Sequence, residues 1–332
     1  MNLTTPVAFF VFNRPRLTQQ VFTQIARARP TDLLLIADGP RAHHPTDIAN
    51  CHAVRRIVDT IDWPCRVLTQ YAATNLGLAA RFMSGLNWVF DTVEECIILE
   101  DDCLPSASFF PFCGQLLERY RHDERLMHIN GYSYQFGRVR TEDSYYFSRI
   151  TCPWGWASWR CAWHHYDFYV RRWAELRETD WLRDLVHHPL AVRFFQKGFD
   201  AAYRGAFGTW DYQWTFACLS QSALTISPRD DLIRNLGHGV EATNTTADSS
   251  PEEYNRPPAE MAFPLRHPTC MVRNVPAETF WIHHIAALEA RSAPRSRALK
   301  LYAWLPAPVR YGMRALLPQR LRHSFVRRGS AH

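Results

Sequence analysis

Apolar and polar positions alternate in blocks along the first hundred residues. Val7–Phe12 is an unbroken apolar run of β-forming residues, and Leu17–Ala26 follows with Leu17, Val21 and Ile25 at helical spacing. Leu33–Ala37 is a second apolar run, closed by Asp38-Gly39-Pro40. Ile48–Ile61 reads as a helix, Arg66–Tyr71 as a strand, Leu78–Phe90 as a helix and Ile97–Leu99 as a fourth strand. Strands that alternate with helices in this way predict an α/β fold. Its sheet would be doubly wound and mostly parallel, flanked by helices.

Beyond residue 100 the pattern is less regular. Phe109–Tyr120, Arg193–Arg204 and Trp210–Leu219 read as helices. Met127–Ile129, Tyr145–Phe147 and Leu224–Ser227 read as strands, and Trp154–Trp163 is dense in tryptophan. Glu241–Pro258 is polar and contains proline, the composition of a mobile loop. There is no internal repeat and no linker before about residue 285. The expected organisation is one domain over 1–285, in two halves at 1–105 and 106–285, and a basic appendage at 286–332.

Composition refines this picture at three points. The 12 tryptophans and 14% aromatic residues supply flat faces for sugars or bases, although most such rings belong to cores. The nine cysteines form no CxxC pair, which argues against a zinc site or a disulfide framework and for a reducing compartment. The net charge of +6 is uneven: ten Lys/Arg and no Asp/Glu lie from Arg291 onward, leaving 28 basic against 32 acidic residues before it. The tail also carries Leu299, Tyr302, Trp304, Leu305, Val309 and Leu316. That mixture suits either a solvated basic terminus or an interfacial segment at 292–332 on an anionic membrane. The N-terminus has no basic leader pattern, and no apolar run approaches membrane-spanning length. A cytoplasmic location is expected, peripheral on the inner membrane face if the tail binds lipid, with no nucleic-acid partner.

The candidate chemistry sits where the strands stop. Asn13-Arg14 follows the first strand, Asp38-Gly39 the second, Asn75-Leu76-Gly77 the third and Glu100-Asp101-Asp102 the fourth. In a parallel sheet these ends share one rim, where nucleotides bind. Asn, Asp and Gly also end strands well without any ligand. Arg14 and Arg81 could meet phosphate, and Asp38 could accept from a base or ribose. No glycine-rich phosphate loop follows the first strand. A diphosphate would then need a divalent cation on the acids, which points from dinucleotide oxidoreductases toward metal-bound nucleotide sugars.

The ordered set of motifs resembles the GT-A glycosyltransferases related to N-acetylglucosaminyltransferase I, and most closely the bacterial nucleotide-diphospho-sugar transferases of that group. It comprises Val-Phe-Asn-Arg-Pro, Asn75-Leu-Gly-Leu-Ala, Ile97-Ile-Leu-Glu-Asp-Asp-Cys, Trp154-Gly-Trp-Ala-Ser-Trp-Arg-Cys-Ala-Trp, Trp210-Asp-Tyr-Gln-Trp and Asp231-Leu-Ile-Arg-Asn-Leu-Gly. Together these cover most of 6–245.

The resemblance implies Mn²⁺ or Mg²⁺ on Asp102, with Asp101 and Glu100 toward ribose and donor sugar. Arg14 and Asp38 would lie at the nucleotide, and Asn75 and Arg81 on the same rim. Trp154, Gly155, Trp156 and Trp210 would form a sugar and acceptor wall. Asp211 would be the general base of an inverting transfer from a nucleotide sugar, UDP-linked by expectation, to a glycan or lipid-linked acceptor. Read by itself, Asp211 lies among aromatics that would raise its pKa, and it suits a helix cap equally. Relatives often carry histidine where this chain has Asn244. Whether Asn244 or His238 joins a metal or phosphate shell is open. A nucleotidyltransferase acting on sugar phosphates and a non-catalytic carbohydrate-binding protein are the competing readings.

Overall fold

Strand β1 (Val7–Val11) is buried at every position because it lies inside the sheet with helices over both faces. The structure, a computed structural model, describes residues 3–206, 208–237 and 256–288. Helix α1 (Pro15–Ala28) leads to β2 (Asp32–Ala37), α2 (Asp47–Ile57) to β3 (Arg66–Tyr71), and α3 (Leu78–Thr92) to β4 (Glu95–Glu100). Pro15 occupies the first turn of α1, where its missing N–H costs nothing. Leu17, Val21 and Ile25 form the buried stripe of that helix.

Then come β5 (Cys103–Pro105), α4 (Phe109–Tyr120), β6 (Leu126–Asn130), β7 (Tyr145–Ser148) and β8 (Trp156–Trp159). Short helices α5 (Arg160–Trp163), α6 (Trp173–Leu176) and α7 (Trp181–Val186) precede α8 (Pro189–Tyr203) and α9 (Asp211–Ser220). β9 (Leu224–Pro228) and β10 (Ile233–Asn235) follow.

The eight-stranded sheet has the order β3-β2-β1-β4-β8-β6-β9-β7. Only β8 and β7 run against the others, so the sheet is mostly parallel, as the block pattern predicts. The chain steps outward from β1 to β2 and β3, then returns to place β4 on the other side of β1. The order therefore reverses between β1 and β4, and a crevice opens beyond their carboxyl ends. A two-stranded ribbon of β5 and β10 flanks that crevice, with Asn235 opposite Cys103.

Period-two alternation sends Phe9 and Val11 into one core with α1 and α4, and Ala8 and Phe10 into another with α3 and α9. The second core holds Trp156, Trp163, Trp210 and Trp214.

The chain separates into two compact units, Met1–Trp281 and Ile282–His332. Of the second unit, residues 282–288 are described and are helical. The basic tail, the polar loop through residue 255, His238 and Asn244 lie outside the described residues. No helix among the described residues is long and apolar enough to cross a membrane.

Candidate active site

Arg14 and the acids after β4 meet at the point where the strand order reverses. The Arg14 guanidinium grips both carboxylate oxygens of Asp101 through Nη2 and Nε, and its Nη1 donates to Asp102 Oδ2 at 2.9 Å. Asp101 is 2% exposed and also accepts from the backbone N–H of Phe12, which ties the end of β1 to the end of β4. Burial pushes the Asp101 carboxyl up, and Arg14 pulls against it. Desolvation disfavours the Arg14 cation, yet Asp101 and Asp102 hold it well above its ordinary value. Glu100 is raised by burial and then by Asp102 and Asp101, because three acids share one cation.

Asp38 and Asn75 are brought together on the same rim, but with each other. The Asp38 carboxylate accepts from the N–H of Gly39 at 2.8 Å, Leu76 at 2.9 Å and Gly77 at 3.1 Å, and from Asn75 Nδ2 at 2.9 Å. It is 5% exposed. In this arrangement Asp38 organises the turn into α3, and its oxygens are spent on the chain itself. Arg81 donates to the carbonyl and side-chain oxygens of Gln70 in β3 at 2.7 and 2.8 Å, and burial lowers its pKa. Its Nε is buried without a hydrogen-bond partner.

Asp211 begins α9, one residue after the position of the helix cap. Its carboxylate accepts from the Thr209 hydroxyl and from the N–H groups of Asp211 and Tyr212. Burial raises its pKa in spite of these donors. Asp211 is close enough to Glu100 to raise that carboxyl in turn. The α9 acid and the strand-end acids thus face one region.

The aromatic residues divide. Trp156 and Trp210 are 1% and 2% exposed, and so correct the expectation of a sugar wall. Their faces are spent in a stack that runs Phe10, Phe82, Trp210, Trp156 and His128, with centroids 4.2–5.5 Å apart. Trp154 is half-buried and packs against Tyr132 and Tyr134. The β4–β8 register ends where Ile98 pairs with Trp156, and Trp154 lies just before that strand. Gly155 makes the intervening bend at φ +59°, where a Cβ would meet Ile233 at 2.5 Å.

A hard divalent cation fits Asp102 in one particular mode. No group of three or more His, Cys, Asp or Glu side chains that could hold a metal exists among the described residues. One carboxylate completed by phosphate oxygens is a common arrangement for Mg²⁺. The returning chain packs against Asp102, and glycine at 237 keeps a side chain off its carboxylate. Leu236 N–H bonds the Asp102 carbonyl at 2.7 Å, and a Cβ on Gly237 would fall 2.3 Å from Asp102 Oδ2.

No protein-family profile matches the sequence, and no curated protein matches it either. Among solved structures the chain is similar to the mannosyltransferase PcManGT from Pyrobaculum calidifontis in complex with GDP-Man and Mn²⁺. The identity is 13% over 67% of this chain and 74% of that one, with a TM-score of 0.37. It is also similar to a UDP-glucose pyrophosphorylase complexed with UDP-glucose, at 11% identity over 44% of this chain and 62% of that one, TM-score 0.25. Likenesses this distant assign no activity.

Two supporting residues escape a reading of motifs. Asp47, at the start of α2, accepts from Asn13 at 2.7 Å and from Arg41 at 2.7 and 3.0 Å, which holds it well below the usual carboxylate range. Its signal was an acid in the first turn of a helix. His128 lies in β6, accepts from Trp214 Nε1 at 2.9 Å and donates to the Cys152 carbonyl at 3.1 Å. Burial takes it down to about 3, so it is neutral and anchors α9 to the sheet. A lone histidine between apolar neighbours gave no such signal.

Proposed function

We propose that this protein is a metal-dependent glycosyltransferase of GT-A type that moves a sugar from a nucleoside diphosphate donor, UDP by preference, to a hydroxyl of a glycan or lipid-linked acceptor with inversion. One observation carries the proposal: a desolvated carboxylate, Asp211, faces the acids at the strand-order reversal. A base of raised pKa beside a cation-binding rim is what transfer to a hydroxyl requires.

In this reading Asp211 takes the acceptor proton. Asp102 holds Mn²⁺ or Mg²⁺, which supplies charge neutralisation to the leaving diphosphate. Glu100 and Asp101 face the donor, and Arg14 reaches phosphate. Asp38 and Asn75 shape the nucleotide rim, with Arg81 behind it. Trp154 and Gly155 border the sugar. Buried Trp156 and Trp210 count against a purely carbohydrate-binding protein, because they withhold the flat faces that such a protein would offer.

The test is a panel of nucleotide sugars with Mn²⁺ or Mg²⁺. Metal-dependent release of the nucleoside diphosphate, increased by acceptor hydroxyls, supports the reading. Production of nucleoside triphosphate from a nucleotide sugar and pyrophosphate would instead make the protein a nucleotidyltransferase.

A further inference from the structure

Arg14 has the geometry of a resident counter-ion. Its backbone is fixed, since Arg14 ends the β1 turn and Pro15 starts α1. Its side chain divides between two acids with unequal grips. Two nitrogens hold Asp101, which is almost fully buried, and a single N–H holds Asp102 Oδ2 at 2.9 Å. A paired grip by a planar guanidinium is the stronger of the two. Asp102 Oδ2 is also the oxygen nearest Gly237, whereas Oδ1 faces the Cys103 thiol at 3.6 Å. Oδ2, the oxygen beside the small residue Gly237, is therefore the one that Arg14 already takes.

Charge makes the same point. Three acids converge on one arginine, and Asp102 opposes ionisation of both Glu100 and Asp101. A second cation on Asp102 Oδ2 would repel the Arg14 guanidinium and so favour its release from that oxygen. The bond to Asp101 lets it do so without leaving the site.

We infer that Arg14 is a stand-in for the divalent cation on Asp102: it yields Oδ2 by releasing Nη1, stays anchored on Asp101, and turns the released N–H to a phosphate oxygen of the nucleotide. This rests on the nucleotide-sugar reading above. It predicts that cation and nucleotide diphosphate bind together far better than either binds alone. The cation by itself must displace Arg14 with no anion to receive it. The nucleotide supplies that anion.

The experiment titrates the full-length protein with Mn²⁺ alone and with Mn²⁺ in the presence of UDP or GDP, read by calorimetry and by the Mn²⁺ paramagnetic resonance signal. In the native chain the nucleotide should tighten Mn²⁺ by about tenfold or more, a typical coupling between sites. Arg14→Met keeps the chain length and removes the charge. It should bind Mn²⁺ alone several-fold more tightly than the native chain and lose most of the coupling. Arg14→Lys keeps the charge without the two-sided grip and should fall between them.

Coupling near one in the native chain overturns the inference, and this arm needs no variant. Arg14→Met that binds Mn²⁺ alone no better than native also overturns it, and leaves Arg14 a structural ion pair. Nucleotide binding without any Mn²⁺ dependence overturns the inference while leaving the nucleotide site in place. Failure of the native chain to bind either nucleotide or Mn²⁺ removes the proposed function with it.

Discussion

Asp211→Asn separates the chemistry of Asp211 from its structural part. The amide oxygen of asparagine can accept from the Thr209 hydroxyl and the start of α9, as the carboxylate does. What is lost is basicity, so transfer should fall by about 10²–10⁴-fold, the usual contribution of a positioned base. Stability should move the other way. Burial raises the folded-state pKa of Asp211, so its ionised form is disfavoured in the fold. The stabilising contribution of such a group is complete below its unfolded pKa and is lost as pH rises through the folded one. At neutral pH the native protein carries that penalty and the asparagine variant does not. The variant should therefore melt no lower than native at pH 7, and any advantage should vanish as pH approaches the ordinary carboxylate range.

The kinetic acid limb follows from the same shift. Activity requires the ionised base, so kcat/KM should fall with decreasing pH at a value above an ordinary aspartate. Thr209→Val removes a donor to the charged form and should move that limb to higher pH. The assay is initial-rate diphosphate release over a pH series, beside a thermal melt of each variant. An Asp211→Asn protein that keeps more than a tenth of native turnover would refute the reasoning, as would one whose activity is lost only together with its fold.

Three further outcomes are expected. Chelation should abolish transfer and added Mn²⁺ or Mg²⁺ should restore it, with Asp102→Ala the most damaging change among the strand-end acids; full activity in chelator would contradict the metal assignment. Asp38→Ala should destabilise the fold by about 2–4 kcal/mol, because it strips the acceptor from Gly39, Leu76, Gly77 and Asn75, and denaturant unfolding would show it. Deleting 292–332 should release the protein from anionic vesicles at low salt, given roughly 1 kcal/mol for each basic residue near the surface, while metal-dependent donor hydrolysis continues; a full-length chain that ignores such vesicles would remove the membrane partner.

The parallel half of the fold was legible because its strands are continuous apolar runs and its helices are long enough to show a stripe. β1 through β4 and α1 through α3 all lie where that pattern puts them. β5 and β10 have three residues each, too few for any period to register. β8 was hidden inside Trp154–Trp163, because all four of its residues, Trp156–Trp159, are buried and so show no in-out alternation. α8 starts at Pro189 rather than at Arg193, since Pro189 takes the first turn and His188 caps it.

The site was legible to the same depth. Residue type and strand-end position were enough to group Arg14 with Asp101 and Asp102. They could not say that the Asp38 oxygens would be consumed by the turn at 75–77, because that depends on Gly39 lying against Thr74 across the rim. Nor could tryptophan content distinguish a ring that faces a sugar from one that fills a core. Trp154 and Trp156 are two residues apart in sequence, yet one is half-buried and the other is sealed in the sheet face.

The stacked rings behind α9 give the protein an optical gauge of its own. Trp156 lies 5.5 Å from Trp210 and 5.6 Å from Trp214, and Trp163 lies 5.2 Å from Trp214. Indoles this close share excitation, so their near-ultraviolet circular dichroism belongs to the group and not to single rings. Two of the four, Trp210 and Trp214, flank Asp211 in sequence. A displacement of the start of α9 relative to the sheet would change the coupling. The seating of the proposed base can thus be followed in solution, without a label, by the light the core itself absorbs.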